Sequence, residues 1–362
     1  MIKLINGPFG IAELDINQEG KRTSSIKTDF GFCSREIIKT ALATKDPLKM
    51  IPYLERIEQS SHNHYSTCFC MLLENICNIV PEDTVNRVRT FLLELERIYS
   101  HSIYLNKMFS YTENQILINH TTTIRDIILD CSEEITGHRM YGTCSVIGDV
   151  NFNISSGNIK VIKRISDELT AVLNKIKRLA KDNPSLLSLF REQVIITEKM
   201  IKQNYITGPF SWYDNSNSDL REKEPYLAYR QPEIKILLEK TINLENCTYG
   251  RILRLIEDSD VSIKIIKSLF STGDNIIYNR KQPLKYSAVK PKGEYSQSIE
   301  SPRGVIKITT EIGKTGLIDS LEIKTPSEVN MSIIDRAIKG SAVDYIEQAF
   351  DSLYLSSMEI DK

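Results

Sequence analysis

The side chains best suited to metal chemistry lie close together between residues 62 and 70. His62 and His64 stand at the start of a predicted helix that contains Cys68 and Cys70. Imidazole nitrogen and thiolate sulfur both bind zinc, so one interpretation is a metal site with mixed ligands. Residues at i and i+2 point to different faces of a helix, however, and no second ligand pair stands at structural-zinc spacing. The spacing therefore favours the other interpretation, a polar helix start followed by small core cysteines.

The cysteines give no sign of a disulfide framework. They are odd in number, scattered, and none forms a CxxC pair, which fits reduced thiols. The seven are Cys33, Cys68, Cys70, Cys77, Cys131, Cys144 and Cys247. No Gly-x-Gly-x-x-Gly pattern follows a predicted strand, so the chain is not expected to bind NADH itself.

Helical periodicity dominates the sequence after about residue 35. The clearest case is 86–106, where apolar residues recur at i, i+3, i+4 and i+7 after a Pro81-Glu82-Asp83-Thr84 start signal. This pattern predicts a long amphipathic helix with one buried stripe. Further helices are predicted over 64–79, 121–136, 158–182, 186–204, 249–270 and 341–352.

The first 30 residues read as a small β unit. Residues 2–4 and 11–16 have strand-like content on either side of a Gly7-Pro8-Phe9-Gly10 turn. The fold class predicted for the chain is therefore α+β, with this unit at the N terminus of a large helical bundle body.

The remaining chain divides by composition. Residues 31–271 are predicted to form the helical body, and the polar, Gly- and Pro-interrupted stretch 272–300 is predicted to be a mobile loop. Residues 301–362 are predicted to close on the body as a β hairpin, with strands at 305–310 and 316–324, and a last helix.

Composition and charge exclude several classes of protein. The chain has 362 residues, 41% hydrophobic and 26% charged, within ordinary globular usage. Its net charge is −1 with Lys and Arg spread along the chain, so no basic stripe indicates nucleic acid. There is no run of 18 apolar residues and no signal-peptide core at the start, so the sequence predicts neither a membrane span nor secretion.

Short motifs along the whole chain occur in the order of those of a known family. They are RxxxK at 35–39, RIEQ at 56–59, ELERIYSH at 94–101, TGHRM at 136–140, GP at 208–209, DLR at 219–221, SPRG at 301–304 and EIDK at 359–362. This set resembles the nickel-iron hydrogenase large-subunit superfamily, and most closely its quinone-reducing branch, the D subunit of NADH-quinone oxidoreductase (respiratory complex I).

The resemblance implies that the chain binds no metal. Hydrogenases hold nickel and iron with four thiolates, and the corresponding positions here are Glu58, Ser61, Ser356 and Glu359. Carboxylate and hydroxyl oxygens suit harder ions than these. We therefore expect no cofactor on this chain itself.

The resemblance also implies a quinone pocket. In the family, a His from the first strand–strand loop and a Tyr after Arg-x-Asp bind the headgroup. Here the loop is shortened to residues 7–10 without histidine, and Gln59 stands at the Tyr position. The candidate pocket residues are Arg56, Glu58, Gln59 and Phe9. Glutamine donates hydrogen bonds but supplies no proton near neutral pH, so altered chemistry is expected.

A second implied group faces an iron-sulfur cluster held by a partner subunit. Its candidates are Arg56, Arg139 and Tyr141, of which Tyr141 stands where the family has a histidine. Positive charge beside a cluster changes its potential, and Arg303 is a further candidate for that role. The alternative is that the arginines belong to a buried ion-pair network with Glu74, Glu94 or Glu300.

By resemblance, the partners are an iron-sulfur cluster subunit, other peripheral-arm subunits and membrane-arm subunits, with quinone as substrate. The expected location is the cytoplasmic face of a bacterial inner membrane, or the matrix face in an organelle. One hypothesis keeps a working pocket, with Gln59 as hydrogen-bond donor and Glu58 or a nearby histidine handling protons. The other is a non-catalytic relative that keeps the interfaces, or an interaction protein derived from the family.

Overall fold

The structure is a computed structural model. It describes residues 1–211, 219–239, 244–271, 277–281, 286–287 and 292–362. Helices form the body and β-sheets lie near both ends of the chain, so the predicted α+β class is confirmed.

The N-terminal sheet has three antiparallel strands in the order β1-β2-β3. They are β1 (Ile2–Gly7), β2 (Gly10–Glu19) and β3 (Arg22–Asp29). Alternate residues of β2, including Ala12, Leu14 and Ile16, are buried, so one face of the sheet packs on the body. Gly7 pairs with Gly10, which leaves Pro8 and Phe9 as the turn between β1 and β2.

Within the described part of the chain, the body consists of eleven α-helices. They are α1 (Ile37–Ala43), α2 (Pro47–Leu54), α3 (His62–Cys77), α4 (Asp83–Ser110), α5 (Gln115–Thr136), α6 (Ser156–Ala180), α7 (Pro184–Phe190), α8 (Glu198–Asn204), α9 (Leu220–Lys223), α10 (Pro232–Leu238) and α11 (Thr248–Leu269). The predicted single helix over 186–204 is wrong, because α7 and α8 are separate. Asn183 and Thr197 each cap the start of one of them with a side-chain oxygen.

The long helix α4 runs through the middle of the body, packed against α5 and α11. Every residue from 88 to 102 is buried. The predicted single apolar stripe therefore understates its burial, since charged residues such as Glu94 and Arg97 also face protein. His101 lies within this helix.

The C-terminal sheet has three strands in the order β6-β7-β8, where a two-stranded hairpin was predicted. They are β6 (Gly293–Ser301), β7 (Gly304–Ile312) and β8 (Ile318–Lys324). The predicted mobile loop over 272–300 is thus wrong from residue 293 onward, and much of its earlier part lies outside the described residues. The β6–β7 turn, Pro302-Arg303, carries Arg303 into the body.

Short elements complete the fold. They are β4 (Ser145–Val146), β5 (Asp149–Val150), α12 (Pro326–Asn330), α13 (Ile334–Ile338), α14 (Ile346–Asp351) and α15 (Ser357–Ile360). The helix predicted over 341–352 is only α14 preceded by a 3-10 turn. Asp361 accepts hydrogen bonds from the backbone N–H groups of Gly31 and Cys33, at 2.7 and 2.8 Å, and so ties the chain end to the body. None of the described helices is long and apolar enough to cross a membrane.

Candidate functional site

A buried guanidinium group forms the centre of the candidate site. Arg303 Nη1 lies 3.1 Å from Glu58 Oε2 and 3.4 Å from Ser61 Oγ, and its Nη2 lies 3.0 Å from Ser60 Oγ. The turn that carries Arg303 passes so close to Gly208 that a Cβ there would lie 2.0 Å from the Arg303 carbonyl oxygen. Gly208 also has φ +79°, a conformation that favours glycine.

A second carboxylate completes the centre from the C terminus. Glu359 Oε1 lies 3.9 Å from Arg303 Nη1, and the same carboxylate accepts from Tyr65 Oη at 3.1 Å and from Ser327 Oγ at 2.5 Å. Burial alone would lower the pKa of Arg303, but the charges of Glu58 and Glu359 outweigh it and raise that pKa, so the guanidinium stays charged. Burial raises the pKa of Glu359 despite Arg303.

This centre places the carboxylates of Glu58 and Glu359 and the hydroxyl group of Ser61 around Arg303. A fixed guanidinium repels a metal cation, and the surrounding donors are carboxylate and hydroxyl oxygens rather than sulfur. Among the described residues, no group of three or more His, Cys, Asp or Glu side chains has an arrangement that would hold a metal ion.

The turn between β1 and β2 covers the centre. The Phe9 ring stacks 4.3 Å from Arg303 Cζ and meets the Tyr354 ring edge-on at 5.5 Å. The Phe9 carbonyl oxygen accepts from Ser357 N at 2.9 Å. Cavities of about 20 and 190 Å³ flank the turn, and Pro8 and Lys107 line both. Phe9 thus closes the space above the ion pair.

Gln59 connects this turn to a second group of residues. Its side-chain Nε2 donates to the Pro8 carbonyl oxygen at 3.2 Å, and its own carbonyl oxygen lies 3.0 Å from His62 Nδ1. Of the candidate pocket residues, Phe9, Glu58 and Gln59 therefore meet around one turn. Arg56 is exposed and lies in the second group.

His62 and His64 both contact one carboxylate. Glu96, on α4, lies 2.8 Å from His62 Nδ1 and 2.6 Å from His64 Nδ1, and it accepts from the backbone N–H groups of Asn63 and His64. Although spacing of i and i+2 places the two imidazoles on different faces of the helix, Glu96 contacts one with each of its two oxygens. Both histidines stand in the first turn of α3, whose unpaired N–H groups and dipole attract a carboxylate from another helix.

The charge of Glu96 determines how these groups titrate. Burial alone would lower the pKa of His62, but Glu96 outweighs it and raises that pKa to about 9. Burial prevails at His64, whose pKa is lowered. Burial would raise the pKa of Glu96, but His62 and His64 lower it strongly. At neutral pH the cluster thus holds an ionised Glu96 and a protonated His62.

An aromatic face adjoins this cluster. The Arg56 guanidinium lies 4.9 Å from the centre of the Tyr141 ring, and the His62 ring lies 5.1 Å from it between ring centres. Tyr141 has φ +56° and Thr143 has φ +44°, conformations that strain side chains other than glycine and often mark functional sites. Glu55 holds this segment by accepting from Thr143 N at 3.2 Å and from its Oγ1 at 3.1 Å.

Arg139 does not join the aromatic face. Its Nη1 lies 2.6 Å from Asp130 and 3.1 Å from Glu133, in an exposed ion-pair group on α5. The sequence also suggested that the arginines pair with Glu74, Glu94 or Glu300. Arg303 instead pairs with Glu58. The carboxylates of the suggested network have other partners: Glu74 pairs with Arg89, and Glu94 with Arg221 and Arg97.

A hydrogen-bonded chain leads from the centre into the body. Ser60 Oγ lies 3.0 Å from Ser100 Oγ, which lies 2.6 Å from Tyr354 Oη. His101 follows, with Nδ1 3.1 Å from Tyr354 Oη and Nε2 2.8 Å from Asp258 Oδ2. Sequence reasoning missed Glu96, Tyr354 and Asp258, although Glu96 lies inside the ELERIYSH motif.

The fold and the centre together define the class of protein. It is an α+β chain whose helical body is closed by its own C terminus over an ion-paired centre. The family model described as respiratory-chain NADH dehydrogenase, 49 Kd subunit, matches residues 115–362. The chain belongs to this family, which confirms the resemblance predicted from its motifs.

Relatives extend the match over nearly the whole chain. The NADH-quinone oxidoreductase D subunit of Desulfotalea psychrophila is 23% identical over 362 residues, covering 98% of this chain and 93% of the relative. The first of the numbered D subunits of Chloroherpeton thalassium is 22% identical, covering 98% and 84%. The chloroplastic NAD(P)H-quinone oxidoreductase H subunit of Marchantia polymorpha is 23% identical, covering 98% and 94%.

Proposed function

We propose that this chain is the D-type component of a membrane-associated NADH-quinone oxidoreductase and contributes one wall of its quinone pocket. The observation that carries the proposal is the position of Gln59. Its side chain contacts the turn at Pro8, and its main chain contacts His62 of the group that adjoins the aromatic face. One residue thus joins the candidate quinone site to the candidate cluster-facing site.

The quinone headgroup would bind at the turn of residues 7–10. The larger flanking cavity, about 190 Å³, is below the 300–1,000 Å³ typical of ligand sites, so a partner surface must complete the pocket. Gln59 Nε2 has a second N–H with which to donate to a quinone carbonyl. Glu58 is committed to Arg303 and Ser60, which leaves His62 as the protonated group next to Gln59.

The aromatic face would meet the partner that holds the iron-sulfur cluster. Two cations, Arg56 and protonated His62, flank the Tyr141 ring there. Iron-sulfur clusters with thiolate ligands carry negative charge, and nearby positive charge favours their reduced state. Arginine and tyrosine are also enriched at protein interfaces. Arg139 has no part in this proposal, because its side chain is paired on α5.

The other proposed partners are the remaining peripheral-arm subunits and the membrane-arm subunits. The proposed location is the cytoplasmic face of a bacterial inner membrane, or the matrix face of an organelle. The chain itself would hold no cofactor, because Arg303 occupies the centre.

A second candidate function rests on Phe9. Its ring lies over Arg303 and closes the space above it, and neither histidine nor tyrosine remains at the headgroup positions. A non-catalytic relative that keeps only the interfaces would have this arrangement. Phe9 would then be a permanent plug rather than a wall of the pocket.

Purification of the tagged chain from its native membranes separates these functions. Mass spectrometry identifies what is purified with it, and a quinone-reduction assay is run on the same sample with and without a quinone-site inhibitor. Iron-sulfur and membrane-arm subunits with inhibitor-sensitive activity support the proposal. The same subunits without activity support the second candidate, and the chain alone contradicts both.

A further inference from the structure

A second concave surface lies apart from the residues discussed above and is lined mainly by cations. We call it the basic groove. Its volume is about 780 Å³, and its positive lining residues are Arg22, Arg191, Arg336 and Lys339. Among the described residues that line it, Glu192 contributes the one carboxylate.

The cations converge from separate parts of the chain. Arg22 begins β3, and Arg191 follows α7. Arg336 lies in α13, and Lys339 is the residue directly after that helix. The net charge of the whole chain is −1, so composition does not explain this local excess. Repulsion among these like charges opposes folding, and a bound anion would reduce that repulsion.

The cations are held in place but remain available. Arg22 Nη1 donates to the Gly340 carbonyl oxygen at 2.8 Å, and Arg336 Nη2 donates to Asn204 Oδ1 at 3.2 Å. These neutral acceptors position two guanidinium groups without neutralising them. Arg191 is 3.5 Å from Glu245, an exposed pair of the kind that exchanges readily.

One wall of the groove is preformed by a strained segment. Val194 has φ +48°, which is unusual for a β-branched residue. Arg251 fixes it by donating to the Val194 carbonyl oxygen at 2.8 Å, and Ile196 N donates to the Asn246 carbonyl oxygen at 3.0 Å. Ile195, between them, is 56% exposed at the groove.

The other wall is bonded to the N-terminal sheet. Thr23 N donates to the Ser341 carbonyl oxygen at 2.9 Å, and Gly340 N donates to the Thr23 carbonyl oxygen at 2.8 Å. Tyr345 lines this side and is 46% exposed. The groove therefore offers fixed cations together with two exposed apolar side chains.

We propose that the basic groove binds an extended acidic segment of a neighbouring protein, with an apolar side chain of that segment against Ile195 and Tyr345. Guanidinium groups bind carboxylates through two parallel hydrogen bonds, and the side chains of Asp and Glu offer this geometry. A concave groove with an apolar part matches a peptide better than it matches a flat membrane surface. This inference is independent of quinone chemistry.

Photo-cross-linking in the native host tests the proposal. The full tagged chain carries p-benzoylphenylalanine in place of Ile195, and the cross-linked peptide is identified by mass spectrometry after irradiation. We expect one recurrent peptide with an excess of Asp and Glu. A recurrent peptide without that excess, an adduct of phospholipid, or no adduct would overturn the proposal.

A matched pair of variants tests the role of charge. Arg191→Glu with Lys339→Glu should lower the cross-linking yield at least fivefold, whereas Lys160→Glu with Lys163→Glu, exposed on α6, should leave it unchanged. If reversing the two charges prevents folding, Arg191→Gln with Lys339→Gln removes them without adding negative charge. This variant should also lower the cross-linking yield. Thermal unfolding of each variant confirms the fold. Equal yields from groove and control variants would contradict the proposal.

Discussion

Arg303 Nη1 lies 3.1 Å from Glu58 Oε2, although 245 residues separate them in the sequence. The pair closes the C-terminal sheet onto the start of the helical body, in the centre that Phe9 covers. Both side chains are almost fully buried. The centre is thus maintained by charge pairing inside protein, and its loss has measurable consequences.

Arg303→Met should destabilise the chain by about 3–5 kcal/mol, because Glu58 is left as an unpaired buried charge. Chemical denaturation measures the change. The double variant Arg303→Met with Glu58→Gln should be less destabilised than Arg303→Met alone, since it removes that charge. Arg139→Met, which breaks exposed pairs, is the control and should change stability little. Equal effects of Arg303→Met and Arg139→Met would contradict this assignment.

Stability should fall as pH rises from about 6.5 to about 9, because the pKa of His62 is raised from 6.5 to about 9 in the folded chain. The protonated imidazole binds Glu96 in the folded state, so its contribution is complete below the unfolded pKa and is lost as pH passes the folded pKa. The contribution is about 3 kcal/mol at most. His62→Gln should flatten this part of the stability curve.

Denaturation midpoints measured at several pH values check the result. His138→Gln, a change at an exposed histidine, serves as the control and should keep the wild-type slope. A His62→Gln curve parallel to the wild type over this range would show that His62 is not the titrating group.

Gly10→Ala should be more destabilising than Gly20→Ala. Both glycines have positive φ, +108° and +63°, so both substitutions strain the backbone. A Cβ at Gly10 would also lie 2.9 Å from Ser357 Cβ and 3.0 Å from Cys33 Sγ, whereas nothing lies within 4 Å at Gly20. Thermal unfolding of the two variants measures the difference. Equal midpoints would mean that the turn is not packed against the C-terminal segment.

Gln59→Tyr alone should not produce normal quinone reduction in the complex. It places a phenol at the proposed headgroup position, but the turn of residues 7–10 still has no histidine. The steady-state rate with quinone in native membranes is the measurement, and Gln59→Asn is a control that keeps an amide. A rate equal to that of an ordinary complex after Gln59→Tyr would refute the assignment.

Elements with strong periodicity were predictable from the sequence. The predicted helix over 86–106 lies within α4, Asp83–Ser110, because many apolar residues define its faces. Strand β6 was missed because its first half is polar and alternates toward solvent beside Gly and Pro signals. Strand β3 was missed in the same way, since Ser24 and Ser25 interrupt its apolar pattern.

Contacts between distant residues limited the prediction of the site. Residue types identified Phe9, Glu58 and Gln59 through resemblance, but nothing local indicated that Arg303 would pair with Glu58. The two histidines of α3 likewise gave no sign of Glu96, which lies 32 residues beyond His64. Spacing along the helix indicated only that the two imidazoles point to different faces, and it gave no sign that one carboxylate at the helix start contacts both.

The most direct test of the proposed quinone site is photoaffinity labelling in native membranes. A quinone with a diazirine on its headgroup is irradiated, with and without excess unmodified quinone, and the labelled peptides are mapped. The proposal predicts competable label on the peptides that contain Phe9 or Gln59. Label confined to other subunits, in a complex from which this chain is recovered, would contradict it.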